Sequence, residues 1–281
     1  MSRAALISLT AIVVTALVAT ATVVYVYNRT WQPEVPASFL HGSVTVGSAT
    51  DQPGLSLLDP GTNRTVGFDA DFIRWLGDNS SRKWNPQLVP TSVDQRVPAL
   101  EQKSLQLVIQ SFSITDERLK VIDMAGPYLV SRQGVLVRKG DTRFSTPDTV
   151  AGKNICAPKG STSVEELRSR RAQVTTEPGV GGCVARLKDR QVDAVSTDQL
   201  LLYGYAQHDP SLYVEPRNTF GLQEEYGVGL PYGSYTECME ISEAIRRFVD
   251  SPGWDDYLRI HFGEFDRAGS RPTGLNPCLK R

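Results

Sequence analysis

The sequence predicts an α/β fold that follows an apolar N-terminal segment and is exported from the cytoplasm. Three observations support this prediction. Strand-like apolar runs alternate with helical patterns, a long uncharged run occupies the N-terminus, and the cysteines are even in number without a CxxC pair. Strands and helices that alternate along a chain usually build parallel sheets, so we expect largely parallel sheets.

The composition excludes some classes of function. Lysine and arginine total 30 against 31 for aspartate and glutamate, so no net charge attracts nucleic acid. Lysines and arginines do not gather into one basic stretch with interleaved aromatic residues. The three histidines are scattered, which speaks against a zinc site. We therefore expect no nucleic-acid partner, no metal and no organic cofactor.

Residues 1–31 are predicted to anchor the chain in the membrane. No charged residue occurs from Ala4 to Asn28, and a helix needs about 20 apolar residues to cross a bilayer. Ala19-Thr20-Ala21 fits a small-x-small cleavage site, so a cleaved signal peptide is the alternative. The apolar run continues past that site to Val26, which favours an uncleaved anchor at the cell membrane. Whether the segment is an anchor or a signal peptide, the rest of the chain is expected to lie outside the cytoplasm.

The cysteines are consistent with an oxidising compartment. Cys156, Cys183, Cys238 and Cys278 allow three pairings, and two disulfides are expected in an exported chain. We favour Cys156–Cys183 and Cys238–Cys278 because these pairs are nearest in sequence. Four buried free thiols are the alternative.

Periodicity places the elements. Phe68, Phe72 and Leu76 share a helix face, as do Ile241, Ile245 and Phe248. Ser163–Glu166 has the Ser-x-x-Glu form of a capping box and predicts a helix start. Short strands are predicted at Val44–Val46, Leu107–Ile109, Gly134–Val137, Ile155–Ala157, Val192–Val195 and Gly227–Gly229.

Nine segments occur in the order of a known family: Gly67–Phe72, Arg96–Leu100, Ser111–Arg118, Ile122–Tyr128, Ala151–Lys153, Gly160–Ser163, Val192–Asp198, Glu225–Val228 and His261–Gly263. Through them the chain resembles the type II periplasmic binding proteins of amino-acid ABC transporters, the bacterial extracellular solute-binding family 3. The resemblance extends from about Val44 to Gly263. Each segment alone is weak, but nine in register are specific.

The resemblance implies two α/β lobes with a ligand cleft between them. After a linker at 32–42, we expect the first lobe at 43–131, the second at 132–226 and a return to the first at 227–281. Two strands near 130–135 and 220–228 should cross between the lobes. Ligand contacts to both lobes would then favour hinge closure.

The resemblance also implies the roles of several residues. Arg118 would clamp the ligand α-carboxylate with help from Ser111 and Ser113, because a guanidinium fork matches a carboxylate. A surface ion pair is the alternative for Arg118. Asp198 would receive the ligand ammonium group, or would instead cap a helix.

A second anion-binding group is predicted at a helix start. Backbone N–H groups and hydroxyls of Ser161, Thr162 and Ser163 would converge at the positive end of the helix. An ordinary glycine turn at Gly160 is the alternative.

Two departures from the family concern the ligand. No aromatic residue occurs in Thr50–Gly54 or in Thr91–Arg96, where glutamine and basic amino-acid binders carry aromatic residues around the ligand. Both stretches resemble actinobacterial glutamate-binding members, and Asp51 lies in the first. Arg64 or Arg96 would meet a side-chain carboxylate, although Arg96 can also be a helix-surface charge. Lys159 lies in a region where glutamine binders place a lysine against the ligand, so it either faces the ligand or is exposed to solvent. This cationic pocket favours glutamate or aspartate over glutamine.

The resulting hypothesis is a monomeric solute-binding protein that presents an amino acid to an ABC permease. A membrane-tethered sensor that acts through a partner protein is the alternative. An enzyme resembling cyclohexadienyl dehydratases is a third possibility, since some share this fold. The chain lacks a Gly-x-Ser-x-Gly motif, and no pair of acids has a fixed local spacing. We therefore expect no catalysis.

Overall fold

The computed structural model describes residue 20, residues 38–263 and residues 268–280. In these residues the strands are β1 (Gly42–Ser48), β2 (Asp51–Gln52), β3 (Ser56–Asp59), β4 (Arg64–Val66), β5 (Trp84–Pro90), β6 (Leu107–Val108), β7 (Asp123–Arg138), β8 (Asn154–Pro158), β9 (Gln173–Glu177), β10 (Ala194–Asp198), β11 (Leu212–Val214) and β12 (Phe220–Leu230). The helices are α1 (Phe68–Asn79), α2 (Arg96–Glu101), α3 (Asp116–Leu119), α4 (Thr162–Ser169), α5 (Val180–Lys188), α6 (Gln199–His208), α7 (Tyr235–Val249) and α8 (Pro252–Phe262).

The main sheet has the strand order β5-β1-β6-β12-β7-β10-β8-β9, and β11 also pairs with β7. The groups β5-β1-β6 and β10-β8-β9 are parallel, as expected from the alternation of strands and helices. All pairs that involve β7 or β12 are antiparallel. The expectation of largely parallel sheets is therefore only half right, because the two connecting strands run in opposite directions. Strands β2, β3 and β4 form a separate small sheet.

Strands β7 and β12 pass from one parallel group to the other. Near one end of their ladder Gly229 pairs with Met124 and also with Val108 of β6. At the other end Phe220 pairs with Gln133, next to the pairing of β7 with β10. The chain thus forms two lobes that share a two-stranded antiparallel connection. The α/β type II periplasmic-binding fold predicted from the sequence is confirmed.

Aromatic packing attaches α1 and α7 to the sheet. The predicted apolar faces of both helices are fully buried, including Phe68, Phe72, Ile245 and Phe248. The Phe72 ring lies 4.5 Å from that of Tyr128 and 4.9 Å from that of Phe248, measured between centroids. Each side chain of this size contributes about 1.5–3 kcal/mol on burial. This cluster therefore supplies much of the hydrophobic stabilisation of the first lobe.

Helix α4 begins earlier than its capping-box pattern predicted. Its first helical residue is Thr162, and Ser161 occupies the cap position without a side-chain capping bond. Ser163 lies inside the first turn and is fully buried. The capping-box prediction was wrong because Gly160 turns the chain at φ 77°, and the helix starts directly after that turn. The hydroxyls of Ser161 and Thr162 therefore lie at the helix N-terminus.

Two disulfides join distant segments. Cys156 of β8 is bonded to Cys183 of α5, and Cys238 of α7 is bonded to Cys278 near the C-terminus. The second bond holds the C-terminal tail against the first lobe. There the Asn276 amide N–H donates to the Gly126 carbonyl at 2.7 Å.

None of the helices in the described part of the chain combines the length and hydrophobicity of a membrane span. The predicted anchor at residues 1–31 lies outside the described residues, apart from Thr20.

Removal of either disulfide is expected to destabilise the fold. The bonds close loops of 27 and 40 residues, and chain entropy then predicts a loss of about 3–4 kcal/mol for each. Urea unfolding of the Cys156→Ala/Cys183→Ala and Cys238→Ala/Cys278→Ala variants measures this loss. Reducing agent should lower the urea midpoint of the wild type further than that of either variant, because the wild type has two disulfides to lose and each variant has one. An unchanged midpoint in both variants would contradict the prediction.

Candidate ligand-binding site

A small cavity lies between the lobes. Residues from both lobes line it: Gln52, Val93, Arg96, Ser111, Ser113, Arg118, Pro158, Ser161, Thr162, Val180, Thr197, Asp198 and Leu201. Elements of the first lobe supply all the arginines of this lining, and β10 of the second lobe supplies its carboxylate.

Arg118 reaches the cavity from α3. Its Nη1 donates to the Ser113 carbonyl at 2.5 Å, and its Nη2 donates to the Gly160 carbonyl across the cleft at 3.1 Å. The guanidinium carbon lies 4.7 Å from the centroid of the Phe112 ring. Burial lowers the pKa of Arg118 to about 10, which still leaves the group charged at neutral pH. In the described residues Arg118 forms no surface ion pair with Asp116 or Glu117, which was the alternative.

Arg96 is buried beside Arg118 and is not a helix-surface charge. Its side chain donates to the Val93 carbonyl at 2.9 Å and to the Gln110 carbonyl at 3.1 Å. It lies over the same Phe112 ring, 4.5 Å from the centroid. Only 3% of Arg96 is exposed, and burial followed by the neighbouring Arg118 charge lowers its pKa well below the usual value.

The two guanidinium groups form no ion pair with any carboxylate in the described residues. Their hydrogen bonds go to backbone carbonyls, which carry no full charge. Buried charges of one sign are costly unless an opposite charge or many hydrogen bonds compensate them. The arrangement therefore favours the binding of an anion beside Arg96 and Arg118.

The N-terminus of α4 faces the same cavity. Ser161 and Thr162 line it, and the Ser161 Oγ is buried without a hydrogen-bond partner in the described residues. The Thr162 Oγ1 accepts a hydrogen bond from Gln133 at 3.3 Å. Ser163 is buried behind them and does not line the cavity. The positive end of α4 and the two arginines thus lie around one volume, which suits a carboxylate.

Asp198 is the acid of the cavity. Its Oδ2 accepts the Tyr226 hydroxyl at 2.6 Å, while its Oδ1 is buried and has no partner in the described residues. The carboxylate makes no helix-capping bond, although Asp198 directly precedes α6. Burial raises the pKa of Asp198 well above its usual value, and the nearby Glu224 charge raises it further. A cationic group bound at Oδ1 would oppose both effects.

A chain of buried hydrogen bonds holds Ser111 against the cavity. Ser111 has a left-handed φ of 41°, and its N–H donates to the Asp69 Oδ2 at 2.9 Å. The Tyr128 hydroxyl donates to the other oxygen of Asp69 at 2.9 Å. The Ser111 hydroxyl in turn donates to the Gln52 Oε1 at 3.3 Å. These bonds compensate the strain of a non-glycine residue at positive φ.

Asp51 and Lys159 join the lobes instead of lining the cavity. The Asp51 Oδ2 accepts the N–H of Gly181 at 2.9 Å, and the Tyr205 hydroxyl donates to the Asp51 carbonyl. Lys159 Nζ lies 3.0 Å from the Asp94 Oδ2 across the cleft. The structure thus has a closed conformation in which polar contacts connect the lobes around the cavity.

Arg64 lies away from the cavity. It is exposed at the start of β4 and lines a surface depression beside Asn63 and Thr65. The structure therefore brings Arg96, but not Arg64, to the site. The pattern of charges alone did not distinguish the two.

Several lining residues were absent from the sequence-based site. Val180 and Leu201 lie in the first turns of α5 and α6, where an apolar residue looks like any core position. Gln52 lies in the aromatic-free stretch Thr50–Gly54, which was a detectable indication. In the described residues no group of three or more histidine, cysteine, aspartate or glutamate side chains converges on a metal position.

Asp69 is expected to make stability depend on pH. Burial raises the pKa of Asp69 to about 6 from 3.8, despite the bonds from Ser111 and Tyr128. The native state then binds more protons than the unfolded chain, so stability falls as the pH rises through the window from about 4 to 6. Between these pH values the free energy of unfolding, measured with urea, should fall by about 3 kcal/mol less in an Asp69→Asn variant than in the wild type. Equal pH slopes would contradict this prediction.

Comparisons with known proteins find relatives that bind amino acids. The glutamate-binding protein GluB of Corynebacterium efficiens is 28% identical over 240 residues, covering 81% of this chain and 81% of GluB. The glutamine-binding protein of Geobacillus stearothermophilus is 29% identical, covering 72% of this chain and 77% of that protein. The solved structure of an ancestral arginine-binding protein bound to glutamine has a TM-score of 0.73 and 26% identity, covering 79% and 99% of the two chains. The family model of the bacterial extracellular solute-binding proteins, family 3, matches residues 44–264, and the chain belongs to that family.

Proposed function

We propose that this protein captures an acidic amino acid, glutamate or aspartate, in the cavity between its lobes. The observation that carries the proposal is the pair of guanidinium groups of Arg96, which is buried, and Arg118, which is half-buried. Neither has a carboxylate partner in the described residues. Beside them Asp198 presents one buried carboxylate oxygen without a partner. Two cationic groups and one acceptor match a ligand with two carboxylates and one ammonium.

Each ligand group has a physical counterpart. The α-carboxylate would accept hydrogen bonds from Arg118 and from Ser161 and Thr162 at the α4 N-terminus. The ammonium would donate to the Oδ1 of Asp198, and burial raises the pKa of this carboxyl group well above its usual value. The side-chain carboxylate would then lie toward Arg96. The glutamate-binding relative supports an acidic ligand, and the glutamine-binding relative supports an amino-acid ligand more generally.

Capture would proceed by hinge closure. Because the cavity is lined by both lobes, a bound ligand adds contacts in the closed state that the open state lacks. We propose lobe boundaries at 131/132 and 226/227, on the two crossing strands. The closed, monomeric protein would deliver its ligand to an ABC permease, and the globular part would lie outside the cytoplasm.

The Arg118→Ala substitution is expected to weaken glutamate binding by about 100-fold or more. It removes two charge-assisted hydrogen bonds to the α-carboxylate, each worth about 1.5–3 kcal/mol. Isothermal titration calorimetry of the full-length protein with glutamate and aspartate measures the loss. Arg118→Lys should bind with intermediate affinity, because it keeps the charge and loses the fork.

Arg259→Ala is the matched control, since Arg259 is an exposed arginine of α8 that pairs with Asp256. Its affinity for glutamate should equal that of the wild type. Wild-type protein that binds none of the twenty amino acids would refute the proposed function. Ligand at about 100 times its Kd should also add about 2.7 kcal/mol to stability, which thermal unfolding detects.

We further propose that residues 1–31 remain attached as a membrane anchor. The uncharged run from Ala4 to Asn28 supports an anchor, and its continuation past Ala21 favours retention over cleavage. The native protein should then fractionate with membranes at the mass of the whole chain, 30.9 kDa. A soluble product that begins at Thr22 would instead identify a cleaved signal peptide.

A further inference from the structure

Gln52 is a buried amide on the wall of the cavity, at the end of the two-residue strand β2. Only 1% of the residue is exposed, so its polar atoms depend on the cavity and on neighbouring side chains for hydrogen bonds. Its Oε1 accepts the Ser111 hydroxyl at 3.3 Å. Its Nε2 has no hydrogen-bond partner in the residues that the structure describes. An NH₂ group on the cavity wall without an acceptor among the described residues is available to an acceptor group of a ligand.

We propose that Gln52 is a specificity-determining residue that, with Arg96, selects a side-chain carboxylate over a carboxamide. This inference rests on the proposed function, which assigns the ligand main chain to Arg118, the α4 N-terminus and Asp198. The remaining lining has four apolar residues, three hydroxyl-bearing residues and two residues with N–H donors: Val93, Pro158, Val180, Leu201, Ser111, Ser113, Thr197, Gln52 and Arg96.

On this wall Gln52 and Arg96 present N–H donors. A guanidinium has five N–H donors and no acceptor, and Gln52 has its carbonyl oxygen engaged by Ser111. A carboxylate accepts from both groups through its two oxygens. A carboxamide in the same place would satisfy one donor and direct its own NH₂ toward a second donor. An unmatched buried donor is costly, so such a site discriminates against glutamine and asparagine.

The orientation of the Gln52 amide is fixed by residues behind it. Tyr128 donates to Asp69, Asp69 accepts the Ser111 N–H, and the Ser111 hydroxyl holds the Gln52 Oε1. Asp69 and Tyr128 are fully buried, so water does not compete for these bonds. This polar chain explains why Ser111 adopts a left-handed conformation. In that conformation its N–H reaches Asp69 while its hydroxyl reaches Gln52.

The neighbouring residue connects Gln52 to lobe closure. Asp51 accepts the Gly181 N–H of α5 and the Tyr205 hydroxyl of α6, both in the second lobe. Strand β2 is therefore held by pairing with β3 on one side and by the second lobe on the other. These contacts place the second lobe directly beside Gln52 in the closed structure.

Titration calorimetry of the full-length protein with glutamate and with glutamine tests the inference. Gln52→Glu retains the acceptor for Ser111 but replaces the NH₂ donor with a second carboxylate oxygen. The ratio Kd(glutamine)/Kd(glutamate) should fall at least about 10-fold, because the new charge repels a carboxylate and accepts from a carboxamide. Gln52→Leu should weaken glutamate binding about 10- to 100-fold and glutamine binding less.

Gln102→Glu is the matched control, since Gln102 is exposed beyond α2 and takes the same change outside the cavity. Its Kd ratio should equal that of the wild type. A wild type that binds glutamate while every Gln52 variant keeps its Kd ratio within about twofold would overturn the role of Gln52 and leave the proposed function intact. A wild type that binds no acidic amino acid would overturn both. Urea unfolding verifies that the variants are folded.

Discussion

Strand β12 brings the two halves of the site into register. Its backbone pairs with the loop that carries the serines of the first lobe: the Ile114 N–H donates to the Glu225 carbonyl, and the Gly227 N–H donates to the Phe112 carbonyl. Between them Tyr226 extends its hydroxyl to Asp198 of the second lobe. One strand thus bonds to the main chain of one lobe and to the acid of the other. Any rotation of the lobes about β7 and β12 therefore pivots beside the ligand groups.

The electrostatics of the cavity are organised around Arg96 and Arg118, which make no direct ion pair within the described residues. Both guanidinium groups lie over the Phe112 ring, and both donate hydrogen bonds to backbone carbonyls. Desolvation of such a pair costs free energy in the folded state, which a purely structural role would not require. A bound anion would offset this cost, because the Coulomb attraction between opposite charges is strong where the surroundings have a low dielectric constant. Asp198 has the complementary relation to a cation.

Residues at the rim take a different role from those in the cavity. Asp51 and Asp94 belong to the first lobe, and both contact backbone or side-chain donors of the second. Glycines make this approach possible. A side chain at Gly179 would lie 2.4 Å from the Asp51 carboxylate, and one at Gly204 would lie 1.9 Å from the Pro53 carbonyl. Closure therefore depends on small residues of α6 and the α5 entry as well as on the ligand.

Much of the fold followed from local chemistry. Apolar spacing located α1 and α7, the resemblance of the motif segments indicated Arg118, Ser113 and Asp198, and nearness in sequence favoured the disulfide pairing that the structure contains. These features depend on residue type and spacing, which the chain carries by itself. The partners of a charged side chain, in contrast, do not follow from residue type and spacing. Arg64 and Arg96 look alike in sequence, yet one is exposed on a small sheet and the other is buried against Phe112.

The tertiary structure decided the contacts of Asp51, Gln52 and Ser111 for the same reason. Asp51 meets Gly181 and Tyr205 only because the second lobe folds over the first. Gln52 and Ser111 are far apart in sequence and share a hydrogen bond through the packing of two lobe segments. Residue types and their spacing indicated the α/β class, and the resemblance of the motif segments indicated the two-lobed fold and the proposed role of Arg118. Contacts between distant segments decided which polar groups face the cavity, because hydrogen bonds depend on position in space and not on order along the chain.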